Sequence, residues 1–121
     1  MSDLEASFDY HWRVLNGPPL ESEYRFYPRR KWRFDRVQHQ TMVAIEIDGG
    51  IYQQGRHNRA AGYTNDCEKL NVAALLGWTV FRLTQPMIEN EPSVHLSPII
   101  QFIQNRRIDI CLEKPEVRYI K

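Results

Sequence analysis

The stretch Arg33–Gly50, RFDRVQHQTMVAIEIDGG, decides how the chain is read. It alternates as two β-strands joined by a polar turn, and each strand carries acid where a buried strand normally avoids it: Asp35 in the first, Glu46 and Asp48 in the second. If Gln38 pairs with Val43 around a turn at residues 39–42, Asp35 falls opposite Glu46 and Phe34 opposite Ile47. Directly paired residues share a face, so this register groups the two acids on one side and the bulky apolar residues on the other. A slip of one residue destroys that agreement. Carboxylates converging on a small hairpin beside a basic run suit a cation site facing a phosphate.

Outward from the hairpin, Asp3–Leu15 has helical periodicity (Leu4, Phe8, His11, Trp12, Leu15), with Ser2 or Asp3 as cap, and Asn16-Gly17-Pro18-Pro19 ends it. Glu23–Tyr27 predicts a first strand that Pro28 terminates. Lys31–Val37 predicts a second, with Trp32 and Phe34 on one side and Arg33, Asp35 and Val37 on the other. Thr41–Asp48 predicts a third. Residues 49–63 have no clear period and read as a long loop carrying Tyr52, Arg56, His57 and Arg59, types suited to phosphate contact and base stacking. Asn65–Leu76 predicts a helix, capped by Asn65 with Glu68 and ended by Gly77. Its packing stripe is Leu70, Ala73, Ala74 and Gly77, with Lys69 on the flank. Trp78–Leu83 predicts a fourth, central strand parallel to the third. Pro86–Asn90 suggests a short helix, Ile99–Arg106 a last one opened by Ser97-Pro98, and the tail from Ile108 an edge strand or partner contact.

A chain of 121 residues suits a single domain, here with its core at about 21–84 and a C-terminal helix and tail at 97–121. No apolar run is long enough to span a membrane, and the acidic start MSDLEASFDYHW is no signal peptide. Cys67 and Cys111 are far apart and fit no metal-ligand spacing, which predicts two reduced, mostly buried thiols in a cytoplasmic protein. The net charge of +1 hides a segregation. Acids dominate residues 1–23, whereas Arg25, Arg29, Arg30, Lys31, Arg33 and Arg36 crowd the following stretch. Such a run suits an anionic partner or a charge-protected edge strand.

The order α-β-β-β-α-β, with Asp35 in the second strand and Glu46-Ile47-Asp48 in the third, resembles the PD-(D/E)xK nuclease superfamily. The wider set EYRFYPRRKWRFDR, VAIEIDGG, GRH, DCEKLN and GWTVFRLT resembles its small phage and prophage endonucleases, of Holliday-junction-resolvase or mismatch-nicking type, over residues 21–84. The resemblance implies a restriction-endonuclease-like α/β core with a mixed sheet flanked by helices. It implies Mg²⁺ or Mn²⁺ held by Asp35, Glu46, the Ile47 carbonyl and Asp48, with Glu5 or Glu23 as an additional acid. It also implies DNA as partner, contacted by Arg29, Arg30, Lys31, Arg33, Tyr52, Arg56 and Arg59, a homodimer, no organic cofactor, and the cytoplasm of a bacterium or phage-infected host.

One position departs from the superfamily pattern. Asp48 stands where a catalytic lysine is usual, so the missing positive charge has to come from Lys69 on the following helix or be replaced by His57 as general base. The competing reading is a nucleic-acid-binding module of the same fold without catalysis. In a purely structural reading the acids serve ion pairs, Asp35 with Arg33 or Arg36 and Glu46 with Arg82.

Overall fold

The computed structural model describes residues 2–49 and 59–119. In chain order the elements are α1 (Asp3–Val14), β1 (Glu21–Tyr24), β2 (Phe34–Gln38), β3 (Val43–Asp48), α2 (Arg59–Leu75), β4 (Thr79–Thr84), α3 (Gln85–Glu89) and α4 (Pro92–Tyr119). They build an α/β fold with one mixed sheet in the order β1-β2-β3-β4. β1, β2 and β3 are antiparallel neighbours, and β4 runs parallel to β3 after the α2 crossover.

β3 shows why the sheet is covered on both sides. Val43, Ile45 and Ile47 join a cluster with Phe8 and Trp12 of α1, Ile88 of α3, and Leu96, Ile99, Ile100 and Ile103 of α4. Ala44, between them, faces the other way and joins Phe26, Phe34, Val37, Ala73 and Trp78. A strand has a period of two, so the next residue on the Ala44 side is Glu46. The second cluster therefore leads directly to the acids.

The hairpin register is the expected one: Arg36↔Ile45, Val37↔Ala44, Gln38↔Val43. Its continuation sets Asp35 against Glu46. Alternation along β2 nevertheless fails at Phe34. It stacks on Phe26 with ring centroids 4.1 Å apart and shares a cluster with Val37, not with Ile47. Contrary to expectation, Phe34 and Ile47 therefore do not share a face, and Val37 lies on the same side as Phe34, not opposite to it. Beside Phe34, the Asp35 carboxylate Oδ2 accepts the Ile47 N–H at 2.7 Å, a side chain serving the backbone donor of the next strand.

Helix ends follow local chemistry. Ser2 and Glu5 form a reciprocal capping box at the start of α1. α1 ends with Asn16 at φ 62°; the Gly17 N–H donates to Trp12 O and the Asn16 N–H to Arg13 O. That is the paired bonding of a Schellman motif. α2 ends the same way at Gly77, φ +94°, with Trp78 N–H to Ala73 O and Gly77 N–H to Ala74 O. At α4, Arg106 donates to Thr41 O and Thr79 Oγ1, tying that helix to the hairpin turn.

Several expectations are corrected. β1 lies at 21–24, because Phe26 leaves the ladder to stack on Phe34 and Trp32. β2 begins at Phe34 and β3 at Val43. β4 is an edge strand, not a central one. α2 starts at Arg59, well before Asn65, so Asn65 is no cap; its Oδ1 accepts from Arg30 and Trp32 instead. Ala73 and Val72 face the sheet while Ala74 is exposed. α4 begins at Pro92 and continues through the supposed edge strand as helix. Cys67 is half-buried and Cys111 exposed. Among the described residues no helix is long and apolar enough to cross a membrane.

The turn after α1 offers a stability test. A Cβ at Gly17 would lie 2.3 Å from Trp12 Nε1, on a ring whose N–H donates to Pro18 O at 2.7 Å. Gly17→Ala is expected to destabilise by roughly 1–3 kcal/mol, since neither backbone nor indole can give way. Urea denaturation followed by tryptophan fluorescence measures the loss.

Candidate active site

β3 and β4 end side by side at Asp48 and Thr84. At that end of the sheet one cross-strand row carries four charged residues. Continuing the β1–β2 register places Glu23 opposite Asp35; the hairpin register places Asp35 opposite Glu46; Glu46 pairs with Arg82. Glu23 has φ 53°, a left-handed conformation costing an L-residue roughly 1–2 kcal/mol. That kink sits where β1 meets the row. α1 adds Glu5 from its first turn. Oxygen atoms of Glu5, Glu23 and Asp35 lie within 4.8 Å of one another.

The cations that answer this charge come from opposite sides of the sheet. Lys69 is one helical turn before the buried Ala73, so it shares the inward face of α2. Its Nζ contacts Glu46 Oε1 and donates to the Arg33 carbonyl at 2.6 Å. On the α1 side, Arg36 Nη1 meets Glu5 Oε1 at 2.9 Å. The structural pairings anticipated for the acids are not the ones formed. Arg82 binds Asp48 at 2.9 Å, not Glu46, and Arg36 offers Asp35 only a bond to its main-chain carbonyl.

Asp35 is left among like charges. Its pKa rises from 3.8 to about 6, first because burial disfavours the carboxylate, then because Glu46 and Glu5 repel it; the Ile47 N–H pulls the other way. Hard oxygen donors drawn together, one of them held partly out of water beside like charges, are a set whose charge a divalent cation offsets. Carboxylate oxygens are the donors that Mg²⁺ and Mn²⁺ prefer, so the residues present fit such an ion.

A solved structure shares the fold. The catalytic domain of the homing endonuclease I-Bth0305I superposes with a TM-score of 0.57 at 13% identity, over 90% of this chain and 97% of that one. This chain has a nuclease-like fold. No protein-family model and no curated protein matches its sequence. At that identity the likeness concerns the fold, and side-chain roles have to be argued from the geometry of this chain.

Of the residues singled out by sequence, Asp35, Glu46, Lys69, Glu5 and Glu23 meet at one place. The Ile47 backbone is there too, with its N–H engaged by Asp35. Asp48 lies two residues further along β3, bound to Arg82. Within the basic run, Arg30 is held by Glu68 and Asn65 and lies 4.0 Å over the Trp32 ring, which ties it to α2. Arg25 donates to the carbonyls of Pro28 and Arg30. Arg29, Lys31 and Arg33 are exposed. Tyr52, Arg56 and His57 lie outside the described residues, as does the side chain of Arg59. Sequence reasoning missed Arg36 and Asp9 as parts of the site. A signal was present: Arg36 has the opposite strand parity from Asp35, and Glu5 and Asp9 are spaced i, i+4 on α1.

The raised Asp35 value has a signed consequence. Folded Asp35 keeps its proton up to about pH 6, while the unfolded residue loses it near 3.8. The native state therefore binds more protons in that window, and stability falls as pH rises through it. Asp35→Asn keeps an oxygen for the Ile47 N–H and removes the charge. In chelator-treated protein it is expected to unfold at a higher temperature than wild type at pH 7.5, with the difference gone below about pH 4. Calorimetric melting across pH reads this directly; an equal shift at every pH would refute it.

Proposed function

We propose that the protein is a divalent-metal-dependent DNA endonuclease of the PD-(D/E)xK type. The observation that carries this reading is the meeting of Lys69 from α2 with Glu46 from β3, beside Asp35, at the sheet end where Glu5 and Glu23 converge. It is supported by the nuclease-like fold and by the exposed bases Arg29, Lys31 and Arg33 on the segment leading into β2.

In this reading Asp35, Glu23 and Glu5 hold the ion, with Glu46 as the acid shared between the ion and Lys69. A bound Mg²⁺ or Mn²⁺ would supply charge neutralisation at the phosphate and make water a competent nucleophile near neutral pH. Lys69, anchored by the Arg33 carbonyl, presents an ammonium group to the phosphate oxygens and holds a proton beside Glu46. Arg82, aimed by Asp48, sits one strand over and takes a flanking phosphate. Lys69 thus fills the role left open by the aspartate at position 48. Arg29, Lys31 and Arg33 bind the DNA backbone, whose affinity then falls with salt.

Supercoiled plasmid and a four-way junction, each with Mg²⁺, Mn²⁺ or chelator, form the test. Cleavage is expected with either metal and none with chelator. Asp35→Ala and Glu46→Ala should each cut roughly 100-fold more slowly or worse, as when a transition-state charge partner is removed. Lys69→Ala should fall as far as Glu46→Ala, and His57→Ala less. Salt-sensitive binding without cleavage in either metal would instead identify a non-catalytic binding module.

A further inference from the structure

Arg36 follows Asp35 directly and points to the opposite side of β2, where α1 packs. Its residue exposure is 3%, and among the described residues it is the one fully buried charged side chain. Every nitrogen of the guanidinium is engaged. Nε and Nη2 clamp the two oxygens of Asp9 at 3.0 and 2.8 Å. Nη1 reaches Glu5 Oε1 at 2.9 Å and the Asp35 carbonyl at 2.6 Å.

Stability alone is a weak reason for such a group. The desolvation of a buried cation and its carboxylates largely offsets their attraction, and an apolar side chain of similar volume fills such a place at little or no loss. What an apolar side chain lacks is direction. The guanidinium is a rigid planar fork. Once Asp9 fixes its plane, Nη1 is aimed at two acceptors, Glu5 Oε1 and the Asp35 carbonyl. The other Glu5 oxygen, Oε2, lies 3.3 Å from Ser2 Oγ and 3.4 Å from Ser2 N. Glu5 is consequently gripped on both oxygens while it faces Glu23 and Asp35, which repel it. Without Arg36 the capping contacts to Ser2 would still hold Oε2, but Oε1 would lose the cation that offsets its repulsion from Glu23 and Asp35.

We infer that Arg36 is the positioning residue of the candidate metal centre: it carries Glu5 of α1 into the cluster with Glu23 and Asp35 and pins the main chain at Asp35. Asp9 acts one step further back, by orienting Arg36. Neither touches the ion or the DNA. This rests on the proposed metal-dependent function, and its test separates the two.

Mn²⁺ is titrated by calorimetry into the full, chelator-stripped chain without DNA. The proteins are wild type, Glu5→Gln, Arg36→Met, Arg36→Lys and the double variant Arg36→Met with Glu5→Gln. Each single variant should bind Mn²⁺ about tenfold more weakly or worse, the usual loss when a partner behind a metal ligand is removed. The double variant should be no weaker than the weaker single one, because both changes remove the same ligand. Arg36→Lys keeps the charge but cannot span Asp9 and Glu5 together, so it reads the same loss if Arg36→Met fails to fold. Folded Arg36 variants that bind like wild type while Glu5→Gln is weakened would overturn the positioning role and leave the metal centre standing. Additive losses, or an unaffected Glu5→Gln protein, would overturn it too. A wild-type chain that takes up no Mn²⁺ would overturn the metal centre itself.

Discussion

Carboxylates crowded at one end of a sheet are the constraint around which the rest of this molecule is arranged. Glu23, Asp35 and Glu46 come from three adjacent strands and Glu5 from a helix docked across their end. Left alone, such a group would repel itself apart or protonate. The fold answers with two cations delivered from opposite faces, Lys69 through α2 and Arg36 from within β2 toward α1. Each is also tied to a main-chain carbonyl, Arg33 O for Lys69 and Asp35 O for Arg36. The charges are therefore positioned by backbone as well as by one another. Burial, and after it the repulsion from Glu46 and Glu5, still raises the pKa of Asp35. Strain of this kind opposes folding and is tolerated where function uses it.

The apolar packing serves the same end. The larger cluster clamps α1, α3 and α4 to one face through Val43, Ile45 and Ile47, and so holds Glu5 over the end of the sheet. The smaller cluster clamps α2 to the other face through Ala73, and Lys69 rides one turn above it. A shift of α2 by one residue would turn Lys69 through about 100° and off the sheet.

How much of this was legible follows from the range of each interaction. The β2–β3 register was readable because the turn is short and alternation on β3 is strict; the same reasoning set Asp35 against Glu46. The Gly77 stop was readable because a left-handed helix end is a local event. The start of α2 was not. Residues 60–65 are exposed, and hydrophobic periodicity reports only a buried face. The beginning of α4 was misread because Ser97-Pro98 looks like a helix opening, whereas the helix carries Pro98 internally at the expense of one main-chain bond. The edge position of β4 escaped because an apolar run such as WTVFRL says that a strand is covered on its faces, not that it has neighbours on both sides. Phe34 escaped because its side is set by stacking on Phe26, a contact from outside the hairpin that strand alternation does not report. Convergence of Glu5 and Glu23 on Asp35 depends on helix docking and on a left-handed backbone at position 23, neither of which is local.

The aspartate at position 48 shows what kind of constraint acts here. In the proposed nuclease reading, spacing along β3 puts a negative side chain where the motif has a lysine, and by spacing alone that reading lacks its cation. In space an ammonium group meets Glu46 nonetheless, carried by a different element. Electrostatic stabilisation depends on where charge lies relative to a phosphate and not on which strand supplies it. A lysine on α2 and a lysine on β3 are equivalent if both place Nζ beside the same carboxylate. In the proposed reading position 48 is then free for another partner, and Asp48 pairs with Arg82 on the edge strand. A motif read as spacing along one strand misses such an exchange, while the same requirement read as geometry survives it.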